Sequence, residues 1–229
     1  CSLLPPLSSG TLLVVGLGNH DAIPDALGPR TVELTYATRH LFVEPPYPEG
    51  LSNVCAFSPG VLGKSGIETA EIIGGVAGRL KPAAMLVVDA LAAASIKRVG
   101  TTIQLADSGI SPGSGIGNRR SAIDRESMGC PVIALGVPTV VDTAAIIGEA
   151  QSALAGFWRK QKIDIPPDFD CDACQFTERT LLDAFDGQLM VTPKDIDILI
   201  ADMAEIIAAA IAIAVHPPAT ARNYHNYIR

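Results

Sequence analysis

The stretch VVGLGNHDAIPDALGP spans residues 14–29 and predicts how the chain begins to fold. It continues an unbroken apolar run from Leu12 to Val15, which is typical of a strand buried on both faces of a parallel sheet. A glycine-rich turn ends this run, and Pro29 suits the first turn of a helix, where a missing N–H leaves no bond unmade. Asp25 is therefore expected between a strand and a helix, at the carboxyl edge of the sheet, where open α/β folds bind ligands.

Strands and helices are predicted to alternate along the rest of the chain. Further strand-like apolar segments lie at 53–57, 84–88, 101–106 and 132–135. Helical patterns cover 30–41, 67–80, 142–158 and 192–215, the last with Thr192 as its expected N-cap. This alternation predicts an α/β fold: a three-layer sandwich around a doubly wound, mostly parallel sheet, as in phosphorylase/hydrolase-like proteins.

The pattern also predicts how the chain is divided. One α/β domain is expected over 11–216, interrupted near 159–176 by a linker rich in Pro and Asp. Residues 1–10 have no periodicity and suggest the remnant of a longer N-terminal segment. The polar tail at 217–229 is expected to be disordered.

Charge and cysteine content narrow the classes of function. The chain has 229 residues, a formal charge of −7, and no basic run longer than the pair Arg119 and Arg120, so nucleic acid is not an expected partner. Five cysteines are an odd number and indicate a reducing cytoplasm. The pair Cys171 and Cys174 has no second ligand pair for zinc, so no metal is expected there.

The alanine-rich segment Ile206 to Val215 is the longest apolar run near the C-terminus. A membrane span needs roughly 20 such residues, so the segment is interpreted as a buried helix or a contact between subunits. Because it is apolar on all sides, it predicts a homo-oligomer.

Asp25 and Asp89 are the candidate catalytic residues. Each follows a buried strand, so both are expected at the same edge of the sheet. Two carboxyl groups held close together do not both ionise easily, and one protonated and one charged carboxyl provide an acid and a base for activating water against a peptide bond. The residues alone leave open that each aspartate simply caps the helix that follows it.

A glycine-rich loop, ADSGISPGSGIGNRR at 106–120, is the candidate substrate-binding element. Gly113 and Gly115 suit a groove for an extended peptide, or backbone donors to a carbonyl oxygen as it becomes negative. Arg119 and Arg120 suit an acidic peptide, although a solvated basic pair remains an alternative. The loop lacks the GK[ST] ending of a phosphate-binding P-loop.

Two other kinds of site are considered. Dinucleotide binding is disfavoured because Asp21 stands where the GxGxxG motif has its third glycine. A metal site on the two aspartates would need a third ligand, for which His20 or His40 is the nearest histidine in sequence. The interpretation preferred here has neither a metal nor another cofactor.

Five ordered blocks of this sequence resemble the germination proteases of spore-forming bacteria. The resemblance extends from about Leu12 to His216. The blocks are GLGN with PDALGP, SPGVLGKSGIETAEII, LVVDALAAASIKRVGTTIQLADSGISPGSGIGN, VIALGVPTVVD, and LMVTPKDIDILIADMA. The fold is also similar, more distantly, to the nickel-binding hydrogenase-maturation proteases, which is why the metal alternative is kept.

The resemblance implies a function. It makes Asp25 and Asp89 the expected catalytic pair of an endopeptidase that degrades small acid-soluble spore proteins during germination. It also implies synthesis as a zymogen with a longer segment ahead of the first strand, assembly as a homotetramer, and a location in the cytoplasm of the spore core, without direct contact to nucleic acid or membrane. The alternatives are a metal-dependent endopeptidase using the same carboxylates and a non-catalytic relative.

Overall fold

A six-stranded, mostly parallel sheet forms the centre of the structure. The computed structural model describes residues 10–112, 121–163, 169–185 and 189–229, with the backbone alone for 169–174. The strands are β1 Leu12–Gly16, β2 Val54–Phe57, β3 Ala84–Ala93, β4 Gln104–Ala106, β5 Val132–Asp142 and β6 Met190–Val191. Their order is β2-β1-β3-β5-β4, with β6 also paired to β5. Strand β1 is parallel to β2 and β3, whereas β4 and β6 are antiparallel to β5.

The described residues form seven α-helices. They are α1 Leu27–Leu34, α2 Leu62–Ser65, α3 Thr69–Leu80, α4 Arg125–Met128, α5 Thr143–Lys160, α6 Phe169–Leu182 and α7 Ile196–Val215. Alternate residues of β1 point to opposite faces. Leu12 and Val14 join a core cluster with α1 and α7, while Leu13 and Val15 join one with α3 and α4. The predicted three-layer, doubly wound α/β fold is confirmed.

Several predicted boundaries differ from the structure. Strands β3 and β5 continue well beyond their predicted ends, and β5 does so through Pro138. Helix α1 is shorter than predicted, because the backbone of Thr35 is extended and bridges to Ile228. Helix α7 begins at Ile196, and the predicted cap Thr192 instead donates its hydroxyl to the carbonyl oxygen of Thr139 at 3.0 Å.

The chain divides into two compact units, where the sequence suggested one domain. The first comprises 1–91, 103–137 and 195–229, and the second 92–102 and 138–194. The predicted linker near 159–176 is partly helical, since α5 extends to Lys160 and α6 begins at Phe169. The predicted N-terminal remnant, apart from Gly10, lies outside the described residues.

Helix α7 buries one face in the first core cluster. The buried positions follow a helical spacing of three and four residues: Ile196, Ile200, Ala204, Ile207, Ile211 and Val215. Within the described part of the chain, α7 is the one helix long and apolar enough to cross a membrane, with a mean hydropathy of 2.4. Core helices of globular proteins pass the same test, so length and composition do not identify a span.

The C-terminal tail is ordered, so the prediction of a disordered tail is wrong. His216 is almost fully buried, and its Nδ1 accepts the backbone N–H of Ser52 at 3.1 Å. Its ring stacks on Tyr227 with centroids 5.9 Å apart. The last residue, Arg229, donates its N–H to the carbonyl oxygen of Leu34 at 2.9 Å. The tail is thereby fastened to the end of α1.

Acid is expected to loosen this arrangement, because burial lowers the pKa of His216 below its usual 6.5. Below pH 6.5 the unfolded chain binds a proton at this residue more readily than the folded chain does. The free energy of unfolding therefore decreases as the pH is lowered from 6.5, until the pH passes the lower pKa of the folded state. Urea unfolding at several pH values measures this slope. His216→Gln should reduce it, whereas the control His225→Gln, at an exposed position in the same tail, should leave it unchanged. Equal slopes in all three proteins would rule out this role.

Candidate active site

The turn after β1 carries Asp25 and lies close to the sheet. Two glycines allow backbone segments to approach each other closely there. Gly18 has φ +113°, and a Cβ there would lie 2.0 Å from the carbonyl oxygen of Asp25. A Cβ at Gly28 would lie 2.6 Å from the carbonyl oxygen of Val88 in β3. Leu17 donates its N–H to the same Val88 oxygen at 2.8 Å. Glycine at these positions therefore lets the turn and the start of α1 lie directly on β3.

Asp25 ends a short 3₁₀ turn and is partly buried. Its Oδ2 accepts the backbone N–H of Asn19 at 2.7 Å. The side-chain oxygen of Asn19 accepts the N–H of Asp21 at 3.1 Å, which fixes the geometry of the loop. A backbone N–H donor stabilises a carboxylate more than a neutral carboxyl group.

Asp89 lies within β3 and is 8% exposed. Burial, followed by the negative charge of Asp25, raises its pKa from 3.8 to about 7. The backbone N–H of Ala90, which donates to Oδ1 at 2.9 Å, opposes this shift. Asp89 thus retains a proton up to neutral pH.

The structure places Asp25 and Asp89 close enough for their charges to interact. The prediction that Asp89 ends its strand is wrong, since β3 continues to Ala93. The negative charge of Asp25 adds to the effect of burial on Asp89, and both causes favour the protonated form of Asp89. Such a pair can supply a general acid and a general base at the same time.

A chain of exposed ionic groups borders this pair. His20 directs Nδ1 to Asp21 at 3.5 Å and Nε2 to Glu33 at 3.1 Å. Asp21 also pairs with Lys64, which follows β2 in α2, and Arg30 lies 3.2 Å from Glu33. Exposed pairs of this kind contribute little to stability.

These contacts bear on the metal alternative. Because both ring nitrogens of His20 are directed at Asp21 and Glu33, His20 is not placed to be the third ligand of a metal on Asp25 and Asp89. Among the described residues, no three His, Cys, Asp or Glu side chains come together in a way that would hold a metal ion. His40 is exposed in the 3₁₀ turn Arg39–Phe42.

The other predicted site residues, Gly113, Gly115, Arg119 and Arg120, lie outside the described residues, so their role stays a prediction. Asn19 is a site residue that the sequence reasoning did not single out. Its signal is its place directly after Gly18, where the backbone turns back toward Asp25.

Comparison with known proteins identifies the family. The sequence model of the peptidase family described as germination protease matches residues 7–164. A germination protease of Clostridium tetani is 41% identical over 99% of this chain and 74% of its own length. One of Clostridium perfringens is 45% identical over 90% of this chain and 66% of its own length.

Among solved structures, a [NiFe] hydrogenase maturation protease from Thermococcus kodakarensis KOD1 aligns with a TM-score of 0.40 and 17% identity. The alignment covers 90% of this chain and 92% of that chain. The family match and the two germination proteases are far stronger, and they confirm the assignment suggested by the ordered sequence blocks. The chain belongs to the germination protease family of peptidases.

Proposed function

We propose that this protein is an endopeptidase that hydrolyses small acid-soluble spore proteins during germination, with Asp25 and Asp89 activating water. Family membership supports a germination protease. The observation that carries the mechanism is the burial of Asp89 near the charge of Asp25, which together raise the pKa of Asp89 to about 7.

The two aspartates have different environments and therefore different roles. Asp25 accepts a backbone N–H from Asn19 and serves as the charged base. Asp89 is buried and serves as the protonated acid. When their environments hold the pKa values of two carboxyl groups apart, one site can provide a general acid and a general base at the same pH.

In the first step, Asp25 takes a proton from water as the water oxygen attacks the carbonyl carbon of the peptide bond. Asp89 gives its proton to the carbonyl oxygen, which would otherwise become an anion. A neutral tetrahedral intermediate results, with Asp25 now protonated and Asp89 charged.

In the second step, the C–N bond breaks. Asp25 gives its proton to the leaving nitrogen, and Asp89 takes back the proton of the hydroxyl group as the new carboxyl group forms. Both aspartates return to their initial protonation states, so no other reactant is needed.

Further parts of the proposal follow the family resemblance. The protein is proposed to act in the cytoplasm of the spore, to arise from a zymogen, and to work as a homotetramer. Exposed isoleucines on α7 support assembly: Ile198, Ile206 and Ile213 are 59%, 51% and 40% exposed. Gly113, Gly115, Arg119 and Arg120 are proposed to bind the substrate.

The rate of cleavage is expected to fall as pH rises above about 7, because Asp89 then loses the proton that the first step requires. Cleavage of purified acid-soluble spore protein, followed across pH 5 to 9 by gel electrophoresis, measures this dependence. Activity is also expected to survive exhaustive treatment with a chelator.

Three outcomes would overturn this mechanism. A rate that rises steadily through pH 8 would mean that the proton on Asp89 is not used. Loss of activity with chelator and recovery with nickel or zinc would make the protein a metallopeptidase. A protein that cleaves nothing at any pH would be a non-catalytic relative.

A further inference from the structure

A groove of about 710 Å³ lies along the outer face of α3, among residues that the proposed reaction does not use. It is lined by residues of α3, by Ile67 two residues before α3, and by Arg39. Arg39 also lies near β2, the edge strand of the sheet. Its positive charge partly offsets the rise that burial causes in the pKa of the Cys55 thiol.

Two guanidinium groups line the groove. Arg39 and Arg79 both line it and are both exposed. Within the described ranges, neither forms an ion pair, although other exposed cations such as Lys64 and Arg30 do. In a chain with a net charge of −7, two unpaired arginines in one groove mark a place suited to an anion.

Exposed apolar side chains also line the groove. Ile67 and Val76 line the groove and are 48% and 36% exposed. Glu71 also lines it, and it precedes Arg79 by eight residues, which is about 12 Å along a helix. Val76 therefore lies between the acidic Glu71 and the basic Arg79 along α3, and Ile67 precedes Glu71.

We propose that this groove binds an acidic, extended segment of a partner protein, with carboxylates on Arg39 and Arg79 and apolar side chains on Ile67 and Val76. The uneven charge places the acidic residues of the segment at the Arg79 end, away from Glu71. Helix α3 is 12 residues long, so the groove accommodates about six residues of extended chain. This binding does not depend on the proposed reaction.

A glycine in the groove wall allows a specific test. Gly75 lines the groove, and a Cβ added there would have no heavy atom within 4 Å. Leucine at this position would fill part of the groove, and it has a higher helix propensity than glycine. Gly75→Leu should therefore block binding while keeping the fold.

The experiment is calorimetric titration with an end-blocked peptide of about six residues that has two glutamates beside two leucines. Arg39→Gln and Arg79→Gln are each expected to weaken binding about tenfold, as expected for loss of a charged hydrogen bond. Gly75→Leu should abolish it. Arg125→Gln is the matched control, because Arg125 is an exposed arginine on α4, outside the groove. Repeating the titration with Asp25→Asn excludes heat from peptide cleavage.

Other results would overturn the inference. These are absence of binding at millimolar peptide, equal binding of a peptide with glutamine in place of glutamate, and equal loss in Arg125→Gln. Binding of inorganic phosphate as strong as that of the peptide would indicate a simple anion site. If Gly75→Leu changes the sedimentation coefficient, the groove is a contact between copies of this chain.

Discussion

Asp25→Asn and Asp89→Asn are each expected to reduce peptide cleavage by about 10²- to 10⁴-fold, the usual effect of removing a general acid or base. Asparagine keeps the size of the side chain but has no carboxyl proton to exchange. The Asn19 N–H and the Ala90 N–H still find an oxygen acceptor in these variants. Initial rates of cleavage of purified acid-soluble spore protein measure the loss.

Asp21→Asn is the matched control for this experiment. Asp21 lies in the same turn as Asp25, but it is exposed and pairs with His20 and Lys64. Its replacement removes surface ion pairs and should change the rate by about twofold at most. Full activity in Asp25→Asn or in Asp89→Asn would remove that residue from the catalytic pair.

Asp89→Asn is also expected to stabilise the protein above pH 7. The pKa of Asp89 is raised from 3.8 to about 7 in the folded protein, so the unfolded chain loses this proton more easily. The free energy of unfolding therefore falls as pH rises from about 4 to 7, and it stays lower above 7. A pKa shift of this size lowers the free energy of unfolding above pH 7 by up to about 4 kcal/mol. Asparagine does not ionise, so the variant does not suffer this loss.

Urea unfolding at pH 8 and at pH 4 measures this gain. The variant should be more stable at pH 8 and equal to the unmodified protein at pH 4. Asp21→Asn is expected to have the opposite sign at pH 8, because Lys64 holds the pKa of Asp21 below its usual value. Equal stability of Asp89→Asn and the unmodified protein at pH 8 would mean that Asp89 is ionised at little cost in the folded state.

The sequence predicts the part of the site that depends on local patterns. The apolar run of β1 and the glycine turn after it place Asp25 correctly at the carboxyl edge of the sheet. The exact position of Asp89 was not predictable in this way. An aspartate after an apolar run looks like the end of a strand, but here pairing with neighbouring strands carries β3 on to Ala93.

Tertiary contacts explain the other differences. Pro138 lacks an N–H and so predicted the end of a strand, yet β5 continues through it. The tail after His216 has a polar composition that predicts disorder. It is ordered because His216 and Tyr227 stack on each other and Arg229 hydrogen-bonds to α1. Such contacts join residues far apart in sequence, so no local pattern reveals them.

The different supports of the two aspartates determine where activity can be controlled. Asp89 is part of a ten-residue strand in the middle of the sheet, and shifting it would break the pairing of β3 with β1. Asp25 lies in a short turn, where its side chain accepts the backbone N–H of Asn19. If the proposed pair is catalytic, we therefore expect a switch that leaves the sheet folded to act on the turn that carries Asp25, while Asp89 stays in place.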